Sequence, residues 1–390
     1  MSWRFSARTE WDVGESAFAA AIRRAREGGG RIVDLTVSNP TVCGFAYDAD
    51  KILGPLQQAE VLIYDPDPRG MRVAREAVRG YYAGHGADVD AKDMVLTTST
   101  SEAYSFVFRL LCDAGDEVLI ARPSYPLFEF LAELDDVRLR SYPLFYDHGW
   151  WIDFAELERA IGERTRAIAV VHPNNPTGHA TSVAERQRLE EICVRRGLAL
   201  IADEVFLDYP LRDGETIRSF AKGGHPVPTF VLSGMSKIAG LPQMKAAWVV
   251  VCGPPAEKAE ALGRMEVVAD TFLSMSAPVQ LALPFWLAAR EKLRGQIAER
   301  VRRNVAAIVE CGVEMLRADA GWSAVLRLPQ RSGEAVEMEL LRRGVVVHPG
   351  EFYGIAERGR VVVSLIVPVE EFRAGMGVVG MWCGEHERFG

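Results

Sequence analysis

The chain has 390 residues, of which 48% are hydrophobic and 25% charged, and its formal net charge is −8. This length corresponds to roughly two or three domains, or to one large domain with an appendage, and it suffices to bury a large core. The composition is close to the globular average, which excludes a disordered chain. The negative net charge provides no cationic field for a phosphate backbone, so we expect no nucleic-acid partner.

The sequence also argues against a membrane-spanning, secreted or metal-binding protein. Its longest apolar stretches, such as 361–369, are shorter than the roughly 18 residues that a span requires, and the polar segment 1–10 lacks the apolar region of a signal peptide. The six cysteines lie far apart without metal-ligand or redox spacing, and neither His172 nor His348 has a second ligand at suitable spacing. We therefore expect a cytoplasmic protein whose cysteines are small buried hydrophobes.

In chain order, residues 16–27 predict a helical arm that leads into an extended run, 32–37. From about residue 94, short β-type runs alternate with amphipathic stretches, and several of the runs are apolar throughout. Such strands are covered on both faces, as in a parallel sheet between helices. The predicted strands are 94–97, 117–121, 138–143, 167–172, 198–202, 229–232 and 246–251.

After Gly253, the pattern predicts a long helical region from about 256 to 316, followed by mixed elements: strands 324–328, 345–348 and 361–367, and a helix over 334–343. We therefore predict an α/β fold with a mostly parallel seven-stranded sheet flanked by helices, and a smaller α+β C-terminal domain. The expected boundaries are 1–50 for an N-terminal arm with part of the small domain, 51–275 for the large domain and 276–390 for the small domain.

The most informative position for chemistry is Lys237. It follows the apolar strand 229–232 within Ser-Gly-Met-Ser-Lys, at the carboxyl end of the strand, where ligands of open α/β sheets bind. A single lysine is usually a solvated surface charge. A lysine among small residues at the carboxyl ends of the strands, however, is suited to Schiff-base chemistry.

Three further segments end strands at the same edge, namely 172–178, 203–206 and 97–102. The last is a run of small hydroxyl residues at a helix N-terminus, where free N–H groups favour a phosphate, although a simple N-cap is the alternative for any one hydroxyl. A lysine, an acid, an asparagine and an anion cradle together meet the needs of pyridoxal 5′-phosphate, which carries a carbonyl, a pyridine nitrogen, a phenolic oxygen and a phosphate.

The sequence resembles the class I/II, fold-type I pyridoxal-phosphate aminotransferases. The matching motifs run in the family's order across nearly the whole chain: Ser-Asn-Pro-Thr (38–41), Tyr64 followed by Gly70-Met-Arg, Ser-Thr-Ser-Glu-Ala (99–103), Pro-Ser-Tyr-Pro (123–126), Asn-Asn-Pro-Thr-Gly (174–178), Asp-Glu-Val-Phe (203–206) and Ser-Lys (236–237). The match is specific for the superfamily and much less so for the substrate.

The resemblance implies a role for each matching residue. Lys237 would hold the cofactor as an aldimine and then move a proton, Asp203 would pair with the pyridinium N–H, and Tyr125 would stack on the ring. The other implied contacts are Asn175 to the phenolic oxygen, Ser99, Thr100, Ser101 and Ser236 to the phosphate, and Tyr64 to the phosphate of a neighbouring subunit. The last contact implies a homodimer with shared active sites.

Two cofactor positions depart from the family pattern. Phe206 stands where many members carry a tyrosine that donates to the phenolic oxygen, and its missing hydroxyl should raise the pKa of the aldimine. Lys245 stands where the family usually has a phosphate-binding arginine, and an ammonium group neutralises phosphate without the bidentate fork.

The third departure concerns the substrate carboxylate. Val362 stands where the family typically has an arginine, and Arg360 lies two residues earlier on the same face of a strand, about 7 Å away. The carboxylate is held by Arg360 after a register shift, by Ser38, Asn39 or another arginine, or the substrate is not an ordinary α-amino acid. The sequence leaves these alternatives open.

The leading hypothesis is an aminotransferase that moves an amino group from an amino acid to a 2-oxo acid by a ping-pong route. A lyase or decarboxylase on the same fold is the alternative, because the cofactor ring accepts the electrons of the broken bond in all three reactions. A non-catalytic ligand-binding or regulatory protein is a third hypothesis, which the presence of Lys237 and Asp203 and the lack of a basic helix-turn-helix-like extension disfavour.

Overall fold

A computed structural model of the chain describes residues 3–212, 214, 216–273, 275–329 and 335–387. Its strands are β1 (Val33–Asp34), β2 (Met94–Thr97), β3 (Glu117–Arg122), β4 (Arg138–Tyr146), β5 (Trp150–Ile152), β6 (Thr165–Val171), β7 (Ala199–Asp203), β8 (Thr229–Gly234), β9 (Ala247–Cys252), β10 (Glu314–Met315), β11 (Ser323–Arg327), β12 (Val345–Val346), β13 (His348–Pro349) and β14 (Arg360–Ser364). Its helices are α1 (Ala17–Glu27), α2 (Ala49–Leu53), α3 (Arg72–Gly84), α4 (Thr100–Leu111), α5 (Leu127–Leu134), α6 (Phe154–Ala160), α7 (Val183–Arg196), α8 (Met235–Ile238), α9 (Pro255–Phe272), α10 (Ala277–Glu310), α11 (Val336–Arg342) and α12 (Val369–Glu387).

A large sheet in the order β2-β9-β8-β7-β6-β3-β4-β5 forms the centre of the molecule. Strands β4, β3, β6, β7 and β8 are parallel in succession, whereas β9 runs antiparallel to both of its neighbours. The mostly parallel α/β fold predicted from the apolar runs is therefore confirmed.

The predicted strand number of seven is wrong, because the sheet has eight strands. The additional strand β5 pairs antiparallel with β4 after the short turn 147–149. Its Trp-Trp-Ile sequence is too short to show the alternation or the apolar run by which strands are recognised in a sequence.

The apolar strands face a core on each side of the sheet. In β7, Leu200 and Ala202 belong to one buried cluster, and Ala199 and Ile201 belong to the cluster on the opposite face. Because side chains alternate along a strand, burial on both faces requires the continuous apolar run seen in the sequence.

The long helix predicted over 256–316 is two helices, α9 and α10. Leu273 caps α9 in the left-handed conformation, with a φ of 51°. Ser276 in an extended conformation then precedes α10, which carries a proline in its first turn. In the sequence, Ser276 followed by Pro278 is a helix-start signal, which the prediction of one continuous helical region did not use. Helix α10 packs against α3 of the large-sheet region and against α12, and it thereby joins the two parts of the molecule.

The smaller part contains an antiparallel sheet in the order β10-β11-β14-β13. The N-terminal arm joins this part, because β1 pairs with β12 through Val33 and Val345. The helix predicted over 334–343 is present as α11, and its first predicted residue, Glu334, lies outside the described residues. Of the helices in the described ranges, none combines the length and the apolar character needed to cross a membrane.

Candidate active site

Three adjacent parallel strands bring the predicted residues to one edge of the large sheet. In the register of β6, β7 and β8, Val171, Asp203 and Leu232 lie side by side. The chain continues beyond this edge into His172, whose N–H donates to the carbonyl oxygen of Asp203 at 2.7 Å, and into α8, which carries Lys237. The carboxyl ends of these strands therefore place an amine and an acid in the same recess.

The Lys237 amine lies in an apolar recess between two aromatic rings. Its Nζ is 4.8 Å from the ring centroid of Trp322 and 5.5 Å from that of Phe206. Burial lowers the pKa of Lys237 to about 8, and the Asp203 charge opposes this shift. A lowered pKa leaves a larger share of the amine neutral, which is the nucleophilic form.

The Asp203 carboxylate is 5% exposed. Burial raises its pKa to about 6, against the hydrogen bond from Val205 N–H (3.1 Å) and the attraction of the Lys237 charge. No ion pair to Asp203 forms among the described residues. A buried carboxylate of this kind is costly to ionise, and a cationic N–H partner would remove that cost.

The sequence did not single out Tyr104, a buried residue of α4 beside Asp203. Burial and the negative charge of Asp203 raise the pKa of the Tyr104 hydroxyl well above its ordinary value. In the sequence, Tyr104 resembles an ordinary core aromatic on the apolar face of a helix. The one available signal was its position immediately after the Ser-Thr-Ser-Glu-Ala motif.

The N-terminus of α4 provides the predicted anion cradle. The side chain of Ser99 caps the helix by accepting from Glu102 N–H (3.1 Å), so the hydroxyl hydrogen of Ser99 stays available. The N–H groups of Thr100 and Ser101 lie in the first turn, where helices have no internal acceptor. These groups offer donors to a phosphate.

Register places two more of the predicted phosphate contacts at this edge. Ala247 of β9 pairs with Thr97 of β2 on one side and with Gly234 of β8 on the other. Lys245 is exposed and precedes Ala247 by two residues, so it lies between the N-terminus of α4 and α8. Ser236, in α8, is partly buried. The structure therefore brings Lys245, Ser236 and the α4 N-terminus to neighbouring positions.

Asn175 and Tyr125 follow β6 and β3 at the same edge. The Oδ1 atom of Asn175 accepts from the Ser323 hydroxyl at 3.1 Å, which leaves the Asn175 amide N–H groups as donors. Tyr125 is 42% exposed, and its ring makes an edge contact with Phe128. The stacking of Tyr125 on a cofactor ring stays a prediction.

The structure does not bring the predicted substrate residue Arg360 to this cluster. The Ser364 end of β14 lies opposite Ser323, whereas Arg360 lies opposite Arg327, about 13 Å further along the strand at roughly 3.3 Å per residue. Its charge interacts with Arg327, Glu314 and Tyr146, the last at the end of β4. Between these ends, Val362 is buried.

Ser38, Asn39 and Tyr64 are exposed. The Oδ1 atom of Asn39 accepts from the N–H and hydroxyl of Thr41, so its amide N–H groups are its available donors. Tyr64 is 79% exposed and lies beside Ile63 and Leu273, away from Lys237. Within one chain, Tyr64 is thus not part of the cluster. The described residues contain no group of histidines, cysteines and acids that could hold a metal ion.

Comparison with known proteins agrees with this geometry. The family model described as aminotransferase class I and II matches residues 56–370. The chain belongs to the class I and II aminotransferase family. The glutamate-pyruvate aminotransferase AlaA of Haemophilus influenzae is 27% identical over 67% of this chain, and the arginine–pyruvate transaminase AruH of Pseudomonas aeruginosa is 28% identical over 96% of this chain and 94% of its own length. The chain spans 64% of the length of AlaA.

Solved structures show the fold-type I architecture. The alanine aminotransferase of Pyrococcus furiosus superposes with a TM-score of 0.88 at 21% identity, over 98% of this chain and all (100%) of that one. A mutant of the Thermus thermophilus aspartate aminotransferase superposes with a TM-score of 0.80 at 22% identity, over 97% of this chain and 100% of that one.

Pyridoxal 5′-phosphate is the cofactor of class I and II aminotransferases, and the residues of this aminotransferase-family chain fit it. Asp203 is a buried acid that lacks an ion-pair partner within the described ranges, as a pyridinium N–H requires. Lys237 has an amine with a lowered pKa, and the first turn of α4 offers unused N–H donors. Gly234, just before α8, permits the close packing of this segment, because a Cβ atom there would lie 2.8 Å from that of Ala247.

Proposed function

We propose that the chain is a pyridoxal-phosphate-dependent aminotransferase, which moves the amino group of an amino acid to a 2-oxo acid in two half-reactions. The observation that carries this proposal is the position of the Lys237 amine, with its pKa lowered to about 8, near the buried Asp203 carboxylate, beyond the ends of adjacent strands. When bound, the cofactor supplies an aldehyde that condenses with amines and a protonated ring that accepts electrons released at the substrate α-carbon.

The residues of the chain would divide the work as follows. Lys237 Nζ would hold the cofactor and, once released by the amino substrate, would move the proton from the substrate α-carbon to the carbon of the cofactor that carried the aldehyde oxygen. The Asp203 carboxylate would keep the ring nitrogen protonated, and the buried Tyr104 hydroxyl lies beside that carboxylate. The rings of Trp322 and Phe206 exclude water from the Lys237 amine, which keeps the amine in its reactive form.

The printed names of the relatives support amino transfer over the lyase or decarboxylase alternative. AlaA, AruH and the alanine aminotransferase of Mycobacterium bovis, which is 30% identical over 68% of this chain, are all transaminases by name. Two of these names include pyruvate. Pyruvate is therefore the first 2-oxo acid to test as acceptor.

A homodimer with Tyr64 reaching the partner's site is part of the proposal. Leu62, Ile63 and Tyr64 are 87%, 64% and 79% exposed, and Leu273 beside them is 60% exposed. An exposed apolar patch of this kind is typical of an interaction surface. In a dimer, it would be covered by the partner, and Tyr64 would leave its own subunit to contact the other.

We also propose a cytoplasmic location. None of the six cysteines, all of which lie in the described part of the chain, is joined in a disulfide, and four of them are buried. Reduced thiols of this kind are usual in a compartment that keeps thiols reduced.

The function is tested by reconstitution with pyridoxal 5′-phosphate and a panel of amino donors. Each accepted donor should remove the absorbance of the bound aldehyde and release one equivalent of 2-oxo acid per site. Lys237→Ala should lose covalent attachment, measured by borohydride reduction and mass spectrometry. Lys292→Ala, which removes an exposed lysine of α10, should retain it. Release of ammonia or carbon dioxide with recovery of the aldehyde absorbance would instead establish the lyase or decarboxylase.

A further inference from the structure

Trp322 brings an indole ring from the smaller part of the molecule against the Lys237 amine. The residue is 2% exposed, and its ring centroid lies 4.8 Å from Lys237 Nζ. The ring is fixed by edge contacts with Phe206 and Tyr209, at centroid distances of 5.6 and 5.1 Å. The backbone before it is fixed as well, because Gly321 N–H donates to Tyr209 O at 2.8 Å.

The indole N–H of Trp322 is buried and has no acceptor among the described residues. A buried donor without an acceptor loses the hydrogen bonds that it makes to water in the unfolded chain, and buried tryptophans usually find a partner. The buried tryptophans 248, 286 and 382 follow this rule, since their N–H groups donate to Tyr82, Ile52 and Glu339. Trp150 is a second exception, but it lies in β5 at the far edge of the large sheet.

A second buried donor without a partner lies on the neighbouring strand. Ser364 of β14 is opposite Ser323 in the register, and its hydroxyl has no hydrogen bond within the described ranges. The next residue, Leu365, donates its N–H to Trp322 O at 2.6 Å, so the two segments are in direct contact. Ser323 itself donates to Asn175, which connects this pair of segments to the loop after β6.

The same region contains no guanidinium group that is in reach of Lys237 in the described structure. Val362 is buried and apolar, and Arg360 lies at the other end of β14, where it interacts with Arg327 and Tyr146. The substrates of the proposed reaction all have a carboxylate next to the reacting carbon, and this group needs hydrogen-bond donors. The available donors beside Lys237 are neutral.

We infer that the indole N–H of Trp322, together with the hydroxyl of Ser364, binds the carboxylate of the amino acid and 2-oxo acid substrates. This inference rests on the proposed function, because it assigns the substrate group that fills the site. Neutral donors hold a carboxylate less tightly than a bidentate guanidinium does. The site therefore favours substrates with a carboxylate, but with a weak dependence of KM on salt concentration.

The kinetic test uses Trp322→Phe, which keeps an aromatic ring and removes the N–H. We expect KM for the best amino donor to rise about tenfold, the factor that about 1.4 kcal/mol produces, while kcat changes less than about twofold. Ser364→Ala should act in the same direction. Trp150→Phe is the matched control, since it removes the other buried indole N–H that lacks an acceptor, and it should leave KM unchanged. An unchanged KM in Trp322→Phe would overturn the inference.

A binding experiment tests the inference without turnover. In holoenzyme labelled with ¹⁵N-tryptophan, the Trp322 indole signal is assigned by its loss in Trp322→Phe. Propionate should move this signal downfield, and propionamide, which has the same size but no charge, should leave it in place. If propionate has no effect or both probes act equally, the inference fails. If propionate acts but no amino donor in the panel reacts, the proposed function fails while the carboxylate site stands.

Discussion

The Tyr209 hydroxyl donates a hydrogen bond to the backbone carbonyl oxygen of Lys237 at 2.7 Å. Three residues further along, the carbonyl oxygen of Gly240 accepts from the Tyr47 hydroxyl, also at 2.7 Å. The segment that carries the proposed catalytic lysine is thus held by two tyrosines from distant parts of the chain. The placement of the Lys237 amine depends on these bonds, because α8 is a single short turn.

Tyr209→Phe should therefore impair catalysis beyond its effect on stability. Loss of one hydrogen bond should lower the free energy of unfolding by about 1 kcal/mol, and a displaced Lys237 should lower kcat about tenfold at an unchanged KM. Urea unfolding and half-reaction kinetics measure the two effects. Tyr142→Phe is the matched control, since the buried Tyr142 hydroxyl donates to Ala169 O at 3.0 Å. It should show the same loss of stability with normal kcat; equal kcat values in both variants would contradict a positioning role for Tyr209.

Asp203→Asn should change the pH dependence of stability of the cofactor-free protein. Burial raises the pKa of Asp203 to about 6 from its ordinary value of 3.8. The folded protein therefore binds more protons than the unfolded chain between these values, and the contribution of Asp203 to stability is lost as the pH rises through about 6. Between pH 4 and pH 7, the wild type should lose about 2 kcal/mol relative to Asp203→Asn.

Urea unfolding of both proteins at a series of pH values measures this difference. Asp270→Asn, which changes an exposed acid of α9, is the control and should track the wild type at every pH. A constant difference between the wild type and Asp203→Asn would show that the acid is not buried as described. The Asn variant should also bind the cofactor at Lys237 while losing most of its half-reaction rate.

Phe206→Tyr should lower the pH midpoint of the absorbance change of the bound cofactor. The centroid of the Phe206 ring lies 5.5 Å from Lys237 Nζ, and the family resemblance implies that a hydroxyl at this position would donate to the phenolic oxygen of the cofactor. One added hydrogen bond of about 1 kcal/mol shifts the midpoint by roughly 0.7 pH unit. Spectrophotometric titration measures it. Phe206→Leu separates the hydroxyl from the packing, since a similar shift in that variant would attribute the effect to a changed cavity.

The sequence was sufficient for the parts of the site that follow directly from strand ends. Asp203 comes immediately after an apolar run and Lys237 follows another by five residues, and the carboxyl ends of parallel strands must meet at one edge. The α4 cradle follows in the same way from a run of hydroxyl residues at a helix start. These inferences need only the local pattern and the topology of a parallel sheet.

The residues that the sequence did not reveal act through contacts between distant segments. Trp322 lies next to Lys237 only because the smaller part of the molecule packs over the large sheet, and Tyr209, in the segment after β7, reaches the backbone of α8 after β8. In the sequence, each resembles a core aromatic. Arg360 is the opposite case, a residue that the sequence suggested and the structure places elsewhere. Its spacing from Val362 suggested that it could replace the family's carboxylate-binding arginine, but in the register of β14 with β11 it lies opposite Arg327.

A shared active site can be tested by mixing two variants, one of which lacks the Lys237 amine and the other the Tyr64 hydroxyl. In the proposed dimer, Tyr64 of one subunit serves the Lys237 site of the other. Tyr64→Phe should bind the cofactor more weakly by about tenfold, as loss of a hydrogen bond to a charged phosphate predicts, and Lys237→Ala should be inactive.

A mixed dimer of the two contains one site with an intact Lys237 and an intact Tyr64. An equimolar mixture is dissociated and reassociated at a limiting cofactor concentration. Half of the random dimers are then mixed, and each mixed dimer has one complete site. The activity should therefore reach about a quarter of the wild-type value. Sedimentation analysis should show a dimer throughout, and Lys292→Ala mixed with Lys237→Ala serves as the reference for reassociation. Activity no greater than the sum of the separate variants would place Tyr64 outside the partner's site.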